Sequence, residues 1–158
     1  MRFFMPFSVL AVLGAAGCAN EAQSDCAGDG VVVSDAWTRA TTPAQKMSAA
    51  YVQLCNGADV ADKLVSVTFD GADAAELHTT RMNEAGVASM APLTDGLPLP
   101  SGEAVSMAPG GAHIMLIGLS NAFEDGDDPS LTLNFENAPP QTIIFEVRAD
   151  AGEDHNAH

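Results

Sequence analysis

The chain has 158 residues, enough for one domain, and carries 21 acidic against six basic residues, a net charge of −15. This balance argues against nucleic acid and anionic membrane surfaces as partners, because both would repel so acidic a chain. Cations and basic protein surfaces are the partners that the charge favours.

The N-terminus has the pattern of an export signal. Arg2 precedes an apolar run over Phe3–Leu13, which leads through the small residues 14–17 to Cys18. The apolar run is about ten residues long, typical of a secretory signal and shorter than the roughly 20 residues of a membrane span. A cysteine after small residues is the arrangement of a bacterial lipoprotein signal, although Ala15 stands where leucine is usual. We therefore predict a signal peptide over residues 1–17, a lipid-modified Cys18 and a membrane-anchored periplasmic protein. Ordinary cleavage near Ala16, leaving Cys18 as a free thiol, is the alternative.

The two other cysteines form an even pair once Cys18 is set aside. Cys26 precedes a strand-like run and Cys55 ends another, in a compartment where disulfides persist. We predict a disulfide between neighbouring strands, which would contribute on the order of 3 kcal/mol by closing the intervening loop. A metal or redox pair is the alternative, although no CxxC spacing is present.

Residues 18–30 are small, polar and acidic, and predict a flexible tether. Residues 31–149 then alternate short β-type runs with turn dipeptides such as Asn56-Gly57 and Asp70-Gly71 every eight to twelve positions. The pattern predicts an all-β Greek-key sandwich or barrel of about seven to nine strands. Residues 150–158 form an acidic tail that we expect to be disordered. The predicted strands are Val31–Arg39, Ala49–Asn56, Lys63–Phe69, Ala75–Thr80, Val87–Ala91, Ala104–Met107, His113–Leu119, Leu131–Glu136 and Thr142–Arg148.

Two histidines and two methionines have a spacing that could bring them together. His113 and Met115 lie two apart in one predicted strand, so both side chains point to the same face. His78 and Met90 are symmetric about residue 84, at the centre of the turn sequence Asn83–Gly86. A hairpin there would make them cross-strand neighbours.

These four side chains predict a Cu(I) site. Thioether sulfur is soft and uncharged, so it selects Cu(I) over Zn(II), Mg(II) or Ca(II). The set of four ligands lacks the cysteine thiolate that a blue-copper centre requires. Such a site suits storage or transfer. We expect no enzymatic activity, since the sequence lacks HExxH, GxSxG and an obvious carboxylate partner for either histidine. Further candidates are Met82 and Met107 as accessory Cu(I) ligands and His155 and His158 as Cu(II) ligands, whereas Met47 is assigned to packing.

The residues around these ligands resemble the periplasmic copper chaperones of the PCu(A)C type. The similar segments are Glu76–His78, Gly86–Met90 and Pro109–Leu116, together with Asp35–Thr41 and Ala49–Tyr51. The resemblance covers about Val31 to Val147 and implies a cupredoxin-like β-sandwich. It also implies Cu(I) binding through His78, Met90, His113 and Met115.

The same resemblance implies delivery of copper to the CuA centre of cytochrome c oxidase. The acceptor would be the CuA subunit or a Sco-like assembly protein, and we expect the chaperone to be a monomer. Two features depart from the family pattern: Thr79 replaces a frequent methionine, and 22 residues separate Met90 from His113, one more than usual. A copper storage or tolerance protein and a metal-free interaction module remain alternatives.

Overall fold

The computed structural model describes Cys26 and residues 28–83 and 85–149, and all regular secondary structure in this part is β. No segment there forms a helix that could cross a membrane. The eleven strands are β1 Val31–Arg39, β2 Met47–Asn56, β3 Asp62–Thr68, β4 Ala72–Met82, β5 Ala88–Pro92, β6 Leu97–Leu99, β7 Ala104–Ser106, β8 Ala112–Leu119, β9 Ser130–Phe135, β10 Gln141–Ile144 and β11 Glu146–Arg148.

The strands form two sheets that enclose one hydrophobic core. The larger sheet has the order β11-β1-β2-β8-β4-β5, with β7 also paired to β2, and the smaller has the order β10-β9-β3-β6. Alternate residues of β2 and β8, such as Leu54 and Ile114, are fully buried and belong to the same core as Leu64 and Leu133 of the smaller sheet. This alternation leaves every other side chain of the larger sheet on its outer face. The predicted β-sandwich is confirmed.

The strand count differs from the prediction in two places. The predicted run Thr142–Arg148 is two strands: β10 pairs with β9 in the smaller sheet, and β11 pairs with β1 in the larger one. The chain changes sheets at Phe145, which is fully buried. Strand β6 was not predicted, because it has three residues and contains Pro98, and it lies at the edge of its sheet, where proline is tolerated.

The end of the predicted tether is attached to the domain. Cys26 forms the predicted disulfide with Cys55, with a Cα–Cα distance of 5.4 Å. The backbone N–H of Gly57 donates a hydrogen bond of 2.9 Å to the carbonyl oxygen of Gly30. A side chain at residue 57 would collide with the Gly28 carbonyl, 2.6 Å from the position of its Cβ atom, so glycine is required by this contact. Cys26 and residues 28–30, which precede the predicted start of the domain at Val31, are therefore held against it.

Several predicted features lie outside the described residues. They are the signal peptide over residues 1–17, the lipidation site Cys18, most of the tether, the tail over residues 150–158 and the candidate ligands His155 and His158. They stay predictions.

Candidate functional site

Strand pairing alone brings both candidate histidines together. In the antiparallel pairing of β4 with β8, His78 lies directly opposite His113, and Glu76 lies opposite Met115. Directly opposed residues share a face of the sheet, which here is the outer face of the larger sheet. The two imidazole rings have their centroids 6.0 Å apart. Two imidazoles and one thioether thus meet on two central strands.

The hairpin of β4 and β5 adds Met90, but with a register that the sequence analysis did not predict. Thr80 lies opposite Met90 and His78 lies opposite Pro92, so the pairing is symmetric about residue 85 instead of 84. Gly86 adopts a positive φ of 75° in the hairpin loop. Met90 is therefore a diagonal neighbour of His78 and not its direct partner. A shift of two residues keeps the side chain on the same face, so Met90 still points to the side of the sheet that carries both histidines.

An open cleft lies on this face, with a volume of about 280 Å³. The exposure of its candidate ligands is graded: His113 is 4% exposed, Met115 is also buried, and Met90 is 58% exposed. His78 adjoins His113 and is largely covered. The remaining lining residues are Met47, Ser48, Ala49 and Tyr51 of β2, Thr80 of β4, and Gly110. The cleft therefore has a buried nitrogen and sulfur floor and an exposed sulfur rim.

Each histidine uses one ring nitrogen for a hydrogen bond within the protein. Nδ1 of His113 lies 3.1 Å from the carbonyl oxygen of Gly111. Nε2 of His78 lies 2.8 Å from a carboxylate oxygen of Glu76. A carbonyl oxygen and an ionised carboxylate only accept hydrogen bonds, so we assign the ring hydrogen to the nitrogen that faces each of them. In the neutral rings this leaves a lone pair on Nε2 of His113 and on Nδ1 of His78.

The free nitrogen of His78 is unusual for its surroundings. Within residues 28–83 and 85–149, it is the one buried side-chain nitrogen or oxygen that lacks a hydrogen-bond partner. Buried polar atoms are nearly always paired, because an unsatisfied one costs about 1–3 kcal/mol. An unpaired lone pair beside a second imidazole is the arrangement expected where a ligand supplies the missing partner.

Glu76 is a site residue that the sequence analysis missed. The expectation that neither histidine has a carboxylate partner is wrong for His78. The i, i+2 rule that placed His113 and Met115 on one face also places Glu76 beside His78, so the signal was present in the sequence. Hydrogen bonds of this kind orient a histidine for metal binding.

The other methionines do not follow their predicted roles. Met107 is packed in the hydrophobic core, so the structure does not bring it to the cleft as an accessory ligand. Met82 is 66% exposed and shares the face of His78, but lies farther along the hairpin and does not line the cleft. Met47, assigned to packing, is 52% exposed and lines the cleft. Packing therefore accounts for Met107 and not for Met47.

The donors at the cleft are of mixed type. In the part of the chain that the structure describes, no three His, Cys, Asp or Glu side chains converge on one point. The candidate donors on this face are two imidazole nitrogens and methionine sulfur, a set that suits a soft metal ion.

Comparison with known proteins agrees with this architecture. Residues 31–147 match the family described as "Putative lipoprotein LpqE-like". The protein is also 33% identical to the "Putative lipoprotein Lxx21020" of Leifsonia xyli subsp. xyli (strain CTCB07), over 92% of this chain and 89% of that one. The chain belongs to the LpqE-like family, which is of the PCuAC type.

Solved structures similar to this LpqE-like protein have the same fold. A copper-bound PCuAC domain from PmoF2 is 28% identical, with a TM-score of 0.63 over 76% of this chain and 93% of that one. The solution structure of apo-DR1885 from Deinococcus radiodurans is 26% identical, with a TM-score of 0.59 over 96% and 98% of the two chains. The predicted PCu(A)C relationship and the cupredoxin-like β-sandwich are both confirmed.

Proposed function

We propose that this LpqE-like protein is a copper chaperone that binds one Cu(I) ion through His78, Met90, His113 and Met115. The observation that carries the proposal is the pairing of the two histidines. They lie opposite each other on β4 and β8, and each has one ring nitrogen held by the protein and the other free. Met115 lies on the same face of the sheet as the two histidines. Met90 lies at the rim of the cleft that His113 and Met115 line.

The donor set supports copper in the lower oxidation state. Two thioethers and two imidazoles are neutral, and thioether sulfur prefers Cu(I) to the harder divalent ions. A structural relative with 28% identity is described as a copper-bound PCuAC domain, which supports copper as the metal carried here. Because the ligands do not favour a change of oxidation state, the copper is cargo and not a redox catalyst.

The graded exposure of the ligands supports transfer by ligand exchange. His113 and Met115 are buried, whereas Met90 is 58% exposed on β5, the edge strand of the larger sheet. A thiolate or imidazole of an acceptor protein can therefore approach copper from the side of Met90 and replace it first. The metal then leaves without a change in oxidation state and without any covalent chemistry on the protein.

The setting of this transfer is outside the cell membrane. We propose that the protein is exported and anchored through Cys18, as expected of the lipoprotein family to which it belongs. The Cys26–Cys55 disulfide is of the kind found in oxidising compartments. The acceptor that the family relationship favours is the CuA subunit of cytochrome c oxidase or a Sco-like assembly protein.

A Cu(I) titration against a competing chelator tests the proposal. The protein should bind one equivalent, and a variant with both His113→Ala and Met115→Leu should bind more than about 100-fold less tightly, since loss of supporting residues alone typically reduces metal affinity 10- to 100-fold. Met107→Leu is the matched control. It replaces a core methionine that does not line the cleft with leucine, which has a similar volume.

A thermal melt gives an independent measurement. Cu(I) at about 100 times its dissociation constant should stabilise the wild-type protein by about 2.7 kcal/mol, provided that it binds only the folded state. Equal affinity in the wild-type protein and the double variant would rule out the ligand assignment. No stabilisation by Cu(I) at any concentration would instead favour a metal-free interaction module.

A further inference from the structure

Met47 on β2 is a third thioether that lines the cleft, together with Met90 on β5 and Met115 on β8. It begins β2, where it pairs with Ile117, and Ala49 two residues later pairs with Met115. Residues two apart share a face, so Met47 points to the same side as Met115. It lines the cleft and is 52% exposed.

Packing does not explain why a methionine stands at this position. Half of the side chain is in contact with solvent, so it contributes little to the core. Methionine is unbranched and has three rotatable side-chain bonds, which allow its sulfur to move over several ångströms without a change in the backbone. Met47 and Met90 thus provide two exposed, mobile sulfurs at the cleft, on strands that lie on either side of the strand that carries the buried Met115.

We infer that Met47 is an exchange ligand that binds Cu(I) transiently as the ion enters or leaves the cleft. During exchange, the bond between copper and the sulfur of Met47 forms as the bond to the sulfur of Met90 breaks. Copper stays as Cu(I), and no proton moves, because both ligands are neutral thioethers. The inference rests on the proposed Cu(I) site and adds a route by which the ion reaches it.

The rate of copper transfer provides the test. The full-length protein loaded with Cu(I) is mixed with a chromophoric Cu(I) chelator, and release is followed by stopped-flow absorbance. Met47→Leu should slow release about tenfold, equivalent to about 1.4 kcal/mol of activation free energy, while the equilibrium affinity changes little. Met82→Leu is the matched comparison, because Met82 is also exposed on the same face, at 66%, but does not line the cleft.

A spectroscopic measurement detects the contact directly. With methionine methyl groups labelled with ¹³C, substoichiometric Ag(I), a redox-inert probe for Cu(I), should shift the Met47 methyl signal as well as those of Met90 and Met115. The Met107 methyl signal should not shift, because that side chain lies in the core.

The outcomes distinguish this inference from the proposed function. If the wild-type protein binds no Cu(I), the proposed function fails. If it binds Cu(I) but Met47→Leu changes neither the release rate nor the Ag(I) response, only the role of Met47 is overturned. Equal slowing by Met47→Leu and Met82→Leu would also overturn it, and so would a loss of affinity as large as that of Met115→Leu, which would make Met47 a permanent ligand.

Discussion

The polar groups near the two ends of β2 differ in whether they have hydrogen-bond partners. At the polar end, which comprises Asn56, Asp62 and Asn137, the two buried side chains, Asn56 and Asp62, have hydrogen-bond partners. The Asn56 amide donates to the carbonyl oxygens of Val60 and Leu99 at 3.0 and 2.9 Å. Asp62 accepts backbone N–H hydrogen bonds from residues 63, 137 and 138 at 2.7–2.9 Å. At the other end, His78 beside the cleft keeps an unpaired ring nitrogen, and Met47 and Met90 of the cleft are exposed.

The volumes of the two cavities do not separate the proposed ligand site from the polar end in the way that their hydrogen bonding does. The cavity at the polar end is larger, about 340 Å³ against about 280 Å³ for the cleft. Its buried polar groups, however, already have partners within the protein, so they hold the loop over residues 137 and 138 against β3. Next to the cleft, Nδ1 of His78 has no hydrogen-bond partner, and the cleft itself is lined by soft sulfur donors. The proposed ligand site thus has an unpaired ring nitrogen and exposed sulfur, whereas the buried polar groups at the polar end are already paired and support the structure.

The largest effect that separates the two ends should come from the disulfide, beside Asn56 at the polar end. Replacing both Cys26 and Cys55 with serine should lower the free energy of unfolding by about 3 kcal/mol, because the unfolded chain regains the freedom that the cross-link removes. Urea denaturation measures this loss. Cu(I) affinity of the folded variant should stay unchanged, since distant sites act independently. A parallel loss of affinity would show that the two ends are coupled.

Asp62, at the polar end, should make the stability of the protein depend on pH. Burial alone would raise the pKa of Asp62, but hydrogen bonds from the backbones of Lys63, Asn137 and Ala138 and from the Asn137 side chain outweigh it and lower the pKa. A carboxyl group with a lowered pKa stabilises the folded state above its unfolded pKa of about 3.9 and loses this effect as the pH falls through the lower folded value.

Asp62→Asn should therefore destabilise the protein by about 2 kcal/mol at neutral pH, the magnitude of a hydrogen bond to a charged group. The difference from the wild-type protein should shrink as the pH is lowered below about 4. Urea denaturation at a series of pH values checks both. A difference that does not vary with pH would mean that the charge of Asp62 is unimportant, and a change in Cu(I) affinity would contradict the separation of the two ends.

The sequence predicted which side chains share a face of a strand better than it predicted which residues lie opposite each other on neighbouring strands. Strand β1 begins and ends where the alternation placed it, and His113 and Met115 share a face because the period of a strand is two residues. The sequence periodicity could not predict that His78 lies directly opposite His113. It depends on the register between β4 and β8, which are separated by β5, β6 and β7 in the chain, and local periodicity contains no information on that register.

The errors of the sequence analysis can each be traced to a cause. Symmetry about residue 84 gave a hairpin two residues out of register, because the loop that ends at Gly86 centres the pairing on residue 85. Met47 was assigned to packing because methionine usually fills a core, and the predicted strand began at Ala49, two residues after the observed start of β2. Phe145 was placed inside a continuous strand, although the chain changes sheets there.

The smallest predicted effect concerns Glu76, which orients His78 at the cleft. Glu76→Ala removes the acceptor that faces Nε2, so the ring is free to carry its hydrogen on Nδ1 and to turn away from copper. We expect Cu(I) affinity to fall by about tenfold, the lower limit for loss of a group that supports a metal ligand. Glu76→Gln should keep most of the affinity, because its side-chain carbonyl oxygen still accepts the hydrogen bond from Nε2.

The tautomer of His78 shows whether Glu76 orients the ring, because it would not change if Glu76 had only a structural role. In ¹⁵N NMR spectra of the copper-free protein, the wild type and Glu76→Gln should show hydrogen on Nε2, whereas Glu76→Ala should show a mixture of both tautomers. Thermal stability should differ little among the three, because Glu76 is exposed and its hydrogen bond is open to solvent. If Glu76→Ala keeps both the tautomer and the affinity, then β4 and β8 alone fix the ring of His78. The cleft would then resemble the polar end, where the strands and loops themselves hold each buried polar group in place.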